Sequence, residues 1–370
     1  MKKPRIFPPY TFAVFVIVLA LASYTAAGVQ TKPQASFPKV MTYNIYQGTE
    51  LQDVLAATTL LQFVLAVSTD YGHVVTNNFP ERAQAIAAEV VMAKPDLLGL
   101  QEVALWRTGP HTSPPTPATT VAYDYLQILL DALTATGVQY SVLVVRTNFD
   151  VQGPGLFPTG LVDVRLTERS AILVRTSDLG ITGLSFTNIQ SVDYTANTVL
   201  QSLVGPVRLS GGFESVDVTV HGFAVARLIS THMDGFSQQV RDAQAQQILS
   251  GAANTKIPVI MSGDLNAGPG SSSYNLFVSA GFTDSWPSLN SGDPGNTCCQ
   301  VRQDGVIVDV INNPTSFLAE RVDMVLTRGV FVATSMTIVG ADSSTRTASG
   351  LWPSDHAGLV ATLGLSPNGS

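Results

Sequence analysis

Four apolar runs in this chain end in residues that can hold a cation or move a proton, and a fifth begins directly after such residues. TYNI carries Asn44, and DLLGLQEV ends in Gln101 and Glu102. LIST runs into His232, and VIMSGDLN closes on Asp264 and Asn266. WPSDH, with Asp355 and His356, stands ahead of the last apolar run, AGLVATLGL, and a further acid, Asp323, sits inside the apolar RVDMVL. Any one of these would cap a turn and mean nothing more. Repeated at five strand ends, they mark a site built where loops leave a rigid scaffold. Carboxylate and amide oxygens suit a hard cation, and Mg²⁺ is held by one or two carboxylates with water and substrate phosphate completing the shell. Glu102 and Asn44 meet that demand. The sequence has no His-Glu-x-x-His and no compact His cluster, which disfavours a zinc peptidase. GPGSSS lacks the lysine of a phosphate-binding glycine loop, and there is no Gly-x-Ser-x-Gly elbow. The chemistry left is metal-assisted hydrolysis of a phosphoester, with histidines serving the phosphate and the water.

The elements that must position these residues alternate. KVMTYNI, DLLGLQEV, VQYSVLVVR, SAILVR, KIPVIMSGDLN and RVDMVLTRGVFVATSMTIV are strand-like. FPERAQAIAAEVVMAK, YDYLQILLDALTATG and GFSQQVRDAQAQQILSGAA are helical; in the last, Phe236, Val240, Ala243 and Ile248 fall near one face. FESVDVTVHGFAVARLIST predicts a hairpin turning at His221-Gly222, and Glu50 to Asn78 a largely helical insertion after the first strand. The pattern predicts an α/β fold of two packed mixed sheets covered by helices. At WPSDH, an extended chain would send adjacent side chains to opposite faces. Asp355 is therefore not expected to orient His356.

Lys2, Lys3 and Arg5, the apolar TFAVFVIVLALA and the small residues of SYTAAG predict a secretory signal over residues 1–28. The apolar core is short of the ~20 residues a bilayer needs, so cleavage is preferred over an uncleaved membrane anchor. Removal of the three basic residues takes the net charge from −7 to −10. Such a balance argues against gripping a polyanion through a broad basic face. It leaves room for a hydrolase whose metal supplies the positive charge locally. One domain is expected over residues 38–365, because candidate site residues run from end to end. Cys298 and Cys299 are adjacent and can close no long loop; free thiols or a vicinal disulfide in a tight loop are expected.

TYNI, GLQEV, STHMDG, SGDLNA, RVDMVL and PSDHAGLVATL, in this order, resemble the endonuclease/exonuclease/phosphatase superfamily, or deoxyribonuclease I-like fold. The resemblance implies a four-layered α-β-β-α sandwich and a phosphoester hydrolase dependent on Mg²⁺, with Mn²⁺ or Ca²⁺ as alternatives. It further implies Glu102 as principal metal ligand, Asn44 beside it, and Asp355 positioning the metal and its water from the other side. Asp264 and Asn266 resemble the pair that orients or deprotonates the water, and His232 the histidine that hydrogen-bonds the scissile phosphate. Glu168, in LTERSAILVR, matches a carboxylate that supports this histidine, and Asp323 the partner of His356. One departure stands out. The Arg-Gly-aromatic stretch of many members reads Gly211-Gly212-Phe213 here, with Arg208 out of register, so a phosphate contact is missing or differently supplied. Asp217, His221, His73, His111, Trp106, Trp286 and Trp352 are assigned structural places. A secreted, monomeric, nuclease-like phosphodiesterase with no obligate protein partner is the leading expectation. Phospholipid head groups, as in a sphingomyelinase, and small esters such as inositol phosphates are the alternatives to nucleic acid, with a non-catalytic surface-binding protein as the rival.

Overall fold

Every residue of Val259–Asp264 and of Leu97–Gln101 is buried, as strands covered on both faces must be. In the computed structural model, which describes residues 38–177, 184–203, 205–220 and 224–366, these strands lie inside two sheets. The first runs β17 (Phe331–Val339), β18 (Gly358–Leu365), β1 (Lys39–Asn44), β2 (Leu97–Gln101), β6 (Gly160–Arg175), β3 (Leu105–Pro110) and β4 (Thr120–Asp124). A further strand, β5 (Tyr140–Phe157), also pairs with β6. The second sheet runs β13 (Thr283–Asp284), β16 (Asp323–Arg328), β12 (Val259–Asp264), β11 (Ala224–His232), β10 (Gly212–Val220) and β7 (Leu184–Asp193). Both are mixed: β1 lies parallel to β2, and β11 parallel to β12, among antiparallel neighbours. Two short hairpins stand apart, β8 (Thr198–Ser202) with β9 (Gly205–Leu209), and β14 (Arg302–Gln303) with β15 (Val306–Ile307).

Alternation along the strands assigns the layers. Val40, Leu97, Ile172, Leu228, Ile260, Val325 and Leu359 point between the sheets and form one core. Their neighbours Met41, Leu98 and Leu173 meet the helices Leu60–Thr76, Phe79–Ala93 and Tyr125–Ala135. On the far side Ile229, Met261 and Met324 meet the helices Gln238–Ser250 and Ser272–Ser279. The result is the expected four-layered α-β-β-α sandwich. Each such side chain contributes roughly 1.5–3 kcal/mol on burial, against about 0–1 kcal/mol for an exposed ion pair, so apolar patterning sets the layer order.

The helices start where the sequence signals allow. Thr59 and Gln62 form a capping box ahead of Leu60–Thr76, Pro80 occupies the first turn of Phe79–Ala93, and Ser237 caps Gln238–Ser250. The face of this last helix differs from the apolar reading. Gln244, Ala245 and Ile248 are buried, whereas Ala243 and Phe236 are exposed. Gln244 tolerates the interior because its amide accepts from Asp234 N at 2.8 Å and donates to Ala196 O at 3.0 Å. The predicted signal over 1–28 and the His221-Gly222 turn lie outside the described residues. Among the described residues, no helix is long and apolar enough to cross a membrane.

Arg82, fully buried on the helix Phe79–Ala93, ties that helix to two loops. It donates to the carbonyls of Asn77, Ile45, Tyr46 and Pro353 at 2.8–3.0 Å. On the same helix Glu89 receives Tyr43 Oη at 2.9 Å, and burial pushes its carboxyl from the ordinary 4.5 to about 8. A carboxyl neutral in the fold but ionised in the unfolded chain costs stability as pH rises from the unfolded value through the folded one. Glu89→Gln is therefore expected to raise the melting temperature at pH 9 and leave it nearly unchanged at pH 5. Equal shifts at the two pH values in thermal scans would contradict this.

Candidate active site

Strand register brings the polar ends together. The parallel β11–β12 ladder sets His232 level with Asp264, and the antiparallel β12–β16 ladder sets Asp264 opposite Asp323. In the other sheet Asn44 lies opposite Gln101, so Glu102 emerges one residue beyond. Glu102 and Asn266 both adopt left-handed backbone angles, with φ of 57° and 46°. Non-glycine residues rarely do so, and such strain collects at functional positions.

Around Asp264 the contacts are close. His356 Nδ1 lies 2.7 Å from Asp323 Oδ2, while its Nε2 faces Asp264 Oδ2 at 3.7 Å. His232 Nε2 approaches the same Asp264 oxygen at 3.5 Å. Asn266 N donates to Asp264 Oδ1 at 2.9 Å, and Asn266 Nδ2 to Met233 O at 2.9 Å. Thr297 Oγ1 accepts from the N–H groups of Val322 and Asp323, which fixes the start of β16. Asp355, by contrast, approaches His356 Nε2 only at 4.0 Å. The imidazole is oriented by Asp323, on another strand.

Charge follows from this packing. Burial disfavours the imidazolium of His356, but Asp323, Asp355 and Asp264 outweigh it and lift its pKa well above the usual range. His232 is raised in the same way, burial being overcome by Asp264, Glu168 and Glu102. Burial also opposes ionisation of Asp264, yet His356 and His232 hold its carboxyl below the ordinary value. The site thus favours the ionised form of Asp264 and the protonated forms of both imidazoles.

A second group is acidic. Burial, followed by Asp355, Glu102 and Asp309, pushes Glu50 to about 8. Asp355 rises to about 7, chiefly through burial, with Glu102 among the groups that raise it. Glu102 Oε2 accepts from Gln47 N at 2.8 Å and Oε1 from Asn44 Nδ2 at 2.9 Å. Carboxylates crowded into one cavity fit a divalent cation, since an ion would relieve their repulsion. Asn44 lies between two of the carboxylates. Its Nδ2 bridges Glu102 and Asp264, and its Oδ1 accepts from Tyr46 N at 3.1 Å. Through these donated bonds Asn44 spaces the two carboxylates.

Glu168 is buried on β6 beside this cavity, opposite Phe149 of β5. Burial lifts its carboxyl to about 7, offset in part by His232, and its Oε1 has no hydrogen-bond partner. The link from Glu168 to His232 is therefore electrostatic. At the departure noted in Gly211-Gly212, an arginine does stand nearby, but from a different strand. Arg146 of β5 donates to Gly211 O at 2.6 Å, to Asp193 and to Asn148, and a Cβ on Gly212 would lie 2.3 Å from its guanidinium. Glycine at 212 is what admits it. Arg208 lies exposed on β9, away from these contacts.

A family model described as Endonuclease/Exonuclease/phosphatase matches residues 41–356. The chain belongs to that family. Its members are phosphoester hydrolases, and its enzymes depend on divalent metals. No curated protein matches the sequence. Among solved structures, an endonuclease/exonuclease/phosphatase from Bacteroides vulgatus is similar at 15% identity and TM-score 0.55, covering 89% of this chain and 99% of its own. A mannosyl-6-phosphatase from Bacteroides thetaiotaomicron is similar at 18% identity and TM-score 0.53, covering 88% and 99%. An endonuclease/exonuclease/phosphatase family protein from Leptotrichia buccalis has 14% identity, TM-score 0.53 and coverage of 88% and 99%. At these identities the likeness is one of fold.

Within this member of the endonuclease/exonuclease/phosphatase family, Asn44, Glu102, Glu168, His232, Asp264, Asn266, Asp323, Asp355 and His356 all converge on one end of the sandwich. Glu50, Asn148 and Arg146 join them without having been expected; nothing local in the sequence marks them. Among the described residues, the remaining histidines and tryptophans do not line this cavity. His73 is half-buried and faces Asp309 at 3.5 Å, and the exposed His111 faces Asp163 at 2.8 Å. Asp217 pairs with Arg227, and Trp106, Trp286 and Trp352 are buried. Cys298 and Cys299 form a vicinal disulfide, and Cys299 Sγ lies 3.8 Å from His356 Nε2, so the pair packs against the imidazole.

Proposed function

We propose that this family member is a Mg²⁺-dependent phosphodiesterase with nuclease-like chemistry at the phosphate. The observation that carries the reading is the Asp323–His356–Asp264–His232 array beside the crowded acids Glu50, Glu102 and Asp355. Glu102 and Asp355 would hold the cation, with Asn44 spacing Glu102 from Asp264. When bound, the ion supplies positive charge to the phosphate and acidifies water.

The protein groups do the rest. Asp264, kept ionised, takes the proton of the attacking water, steadied by the Asn266 N–H. His356, kept protonated against Asp323, and His232 donate to phosphate oxygens as negative charge develops. The water oxygen bonds to phosphorus while the bond to the alcohol oxygen breaks. The departing alkoxide takes its proton from His232, giving a phosphomonoester and a free alcohol. The N-terminal signal pattern supports placing this activity outside the cytoplasm.

Bis-p-nitrophenyl phosphate incubated with purified protein and Mg²⁺ should release p-nitrophenolate, and a chelator should stop the release. Folded protein that releases none with Mg²⁺, Mn²⁺ or Ca²⁺ would rule out diester hydrolysis.

A further inference from the structure

The catalytic cavity, about 330 Å³ in volume, does not end at its polar groups. It adjoins a second cavity of about 90 Å³ walled by Leu55, Phe63, Val67, Trp106, Val151 and Leu166. Asp70 is the one charged side chain on that wall. Leu51, Leu55, Phe149 and Leu209 line both cavities. The chain crosses from one to the other at three places, and each crossing changes polarity. Glu50 is followed by Leu51, Asn148 by Phe149, and Leu209 leads through Ser210 to Gly211, next to the residue paired with His232. A hydrolase that read only the phosphate and a polar alcohol would gain nothing from an apolar recess at this point. Apart from Asp70, the wall residues Tyr71, Gln152 and Ser202 give water few hydrogen-bonding partners, so an apolar group displaces it favourably.

The surroundings agree. The helix Gln52–Ala56, which carries Val54 and Leu55 into the recess, has no buried residue of its own. Leu60 and Leu61, at the start of the next helix, are each 65% exposed. Leu203, between β8 and β9, and Leu156, near the end of β5, are also exposed, and Leu156 is hydrogen-bonded through its backbone to Ser68 of that helix. Apolar side chains thus stand exposed on the elements that wall the recess, which marks a surface for apolar ligands.

We infer that the substrate is an amphiphile: a phosphoester whose alkyl chain enters the recess bounded by Leu55, Phe149 and Leu209 while its phosphate meets His232 and His356. This rests on the phosphohydrolase reading and narrows its substrate class. Nucleic acid, which carries no alkyl chain, is the competing outcome.

The test uses methyl, butyl and octyl p-nitrophenyl phosphate below their aggregation limits, with Mg²⁺, and plasmid DNA in parallel. The ratio of kcat/KM for octyl over methyl is expected to be roughly tenfold or more, the effect of burying two or three methylenes. Leu55→Gln should bring that ratio toward one. A flat series in the unmodified protein, with DNA cleaved, would overturn the inference in favour of nucleic acid. Calorimetric titration with methylphosphonate and octylphosphonate reads the recess without any turnover. Tighter binding of the octyl compound supports the inference, and equal affinities overturn it. Absence of metal-dependent release from every ester would instead strike the hydrolase reading, which the calorimetry leaves separable.

Discussion

The His356→Ala variant is expected to lose roughly 10²–10⁴-fold in kcat, the contribution usual for a positioned proton donor, while binding Mg²⁺ about as well as the unmodified protein. The separation follows from position. His356 Nδ1 is bound to Asp323 and its Nε2 faces Asp264, whereas the crowded acids are Glu50, Glu102 and Asp355. Its removal also leaves Asp323 without a counter-charge. Burial already raises the Asp323 carboxyl against the pull of His356, so loss of that pull favours its neutral form. The fold should therefore survive, with the loss confined to turnover. Calorimetric Mg²⁺ titration alongside steady-state kinetics decides the point. A matching fall in Mg²⁺ affinity would move His356 from the reaction to the ion.

Glu102→Gln should do the reverse. Its shape is kept, and its oxygen can still accept from Asn44 or Gln47, but the charge is gone. Metal affinity is expected to fall by more than the roughly 10–100-fold that follows loss of an outer partner of a metal ligand. Turnover should fall with it and recover in part at high Mg²⁺. A second readout needs no turnover. Glu102 is among the groups raising Glu50 and Asp355, so removing its charge relieves repulsion in the metal-free protein. At neutral pH the metal-free variant should melt no lower than the unmodified protein, and Mg²⁺ should no longer raise its melting temperature. A variant that keeps the full Mg²⁺-induced shift would displace Glu102 from the ion.

The sequence disclosed the parts of this site that are local. A polar residue after an apolar run is visible in one dimension, and Asn44, Glu102, His232, Asp264 and His356 all have that form. Asp323 was conspicuous as a charge in an apolar strand, though its pairing with His356 entered through family resemblance. What stayed hidden depends on distant segments approaching. Glu50 belongs to an insertion and meets Asp355 only through folding. Arg146 of the first sheet reaches Gly211 beside the second, a contact between sheets that no short motif encodes. Gln244 misled in the other direction, because a glutamine with two backbone partners can occupy a core position that polarity alone assigns to solvent. The chemistry of single residues was legible; their company was not.

Arg82 adds a different kind of constraint. Its partners at Ile45 and Tyr46 belong to the loop beyond Asn44, and its partner at Pro353 lies two residues before Asp355. All of them are main-chain oxygens. No change of side chain at those partner positions removes the accepting atom itself, so the brace between the two loops is carried by residue 82. One arginine thereby keeps the two loops in step.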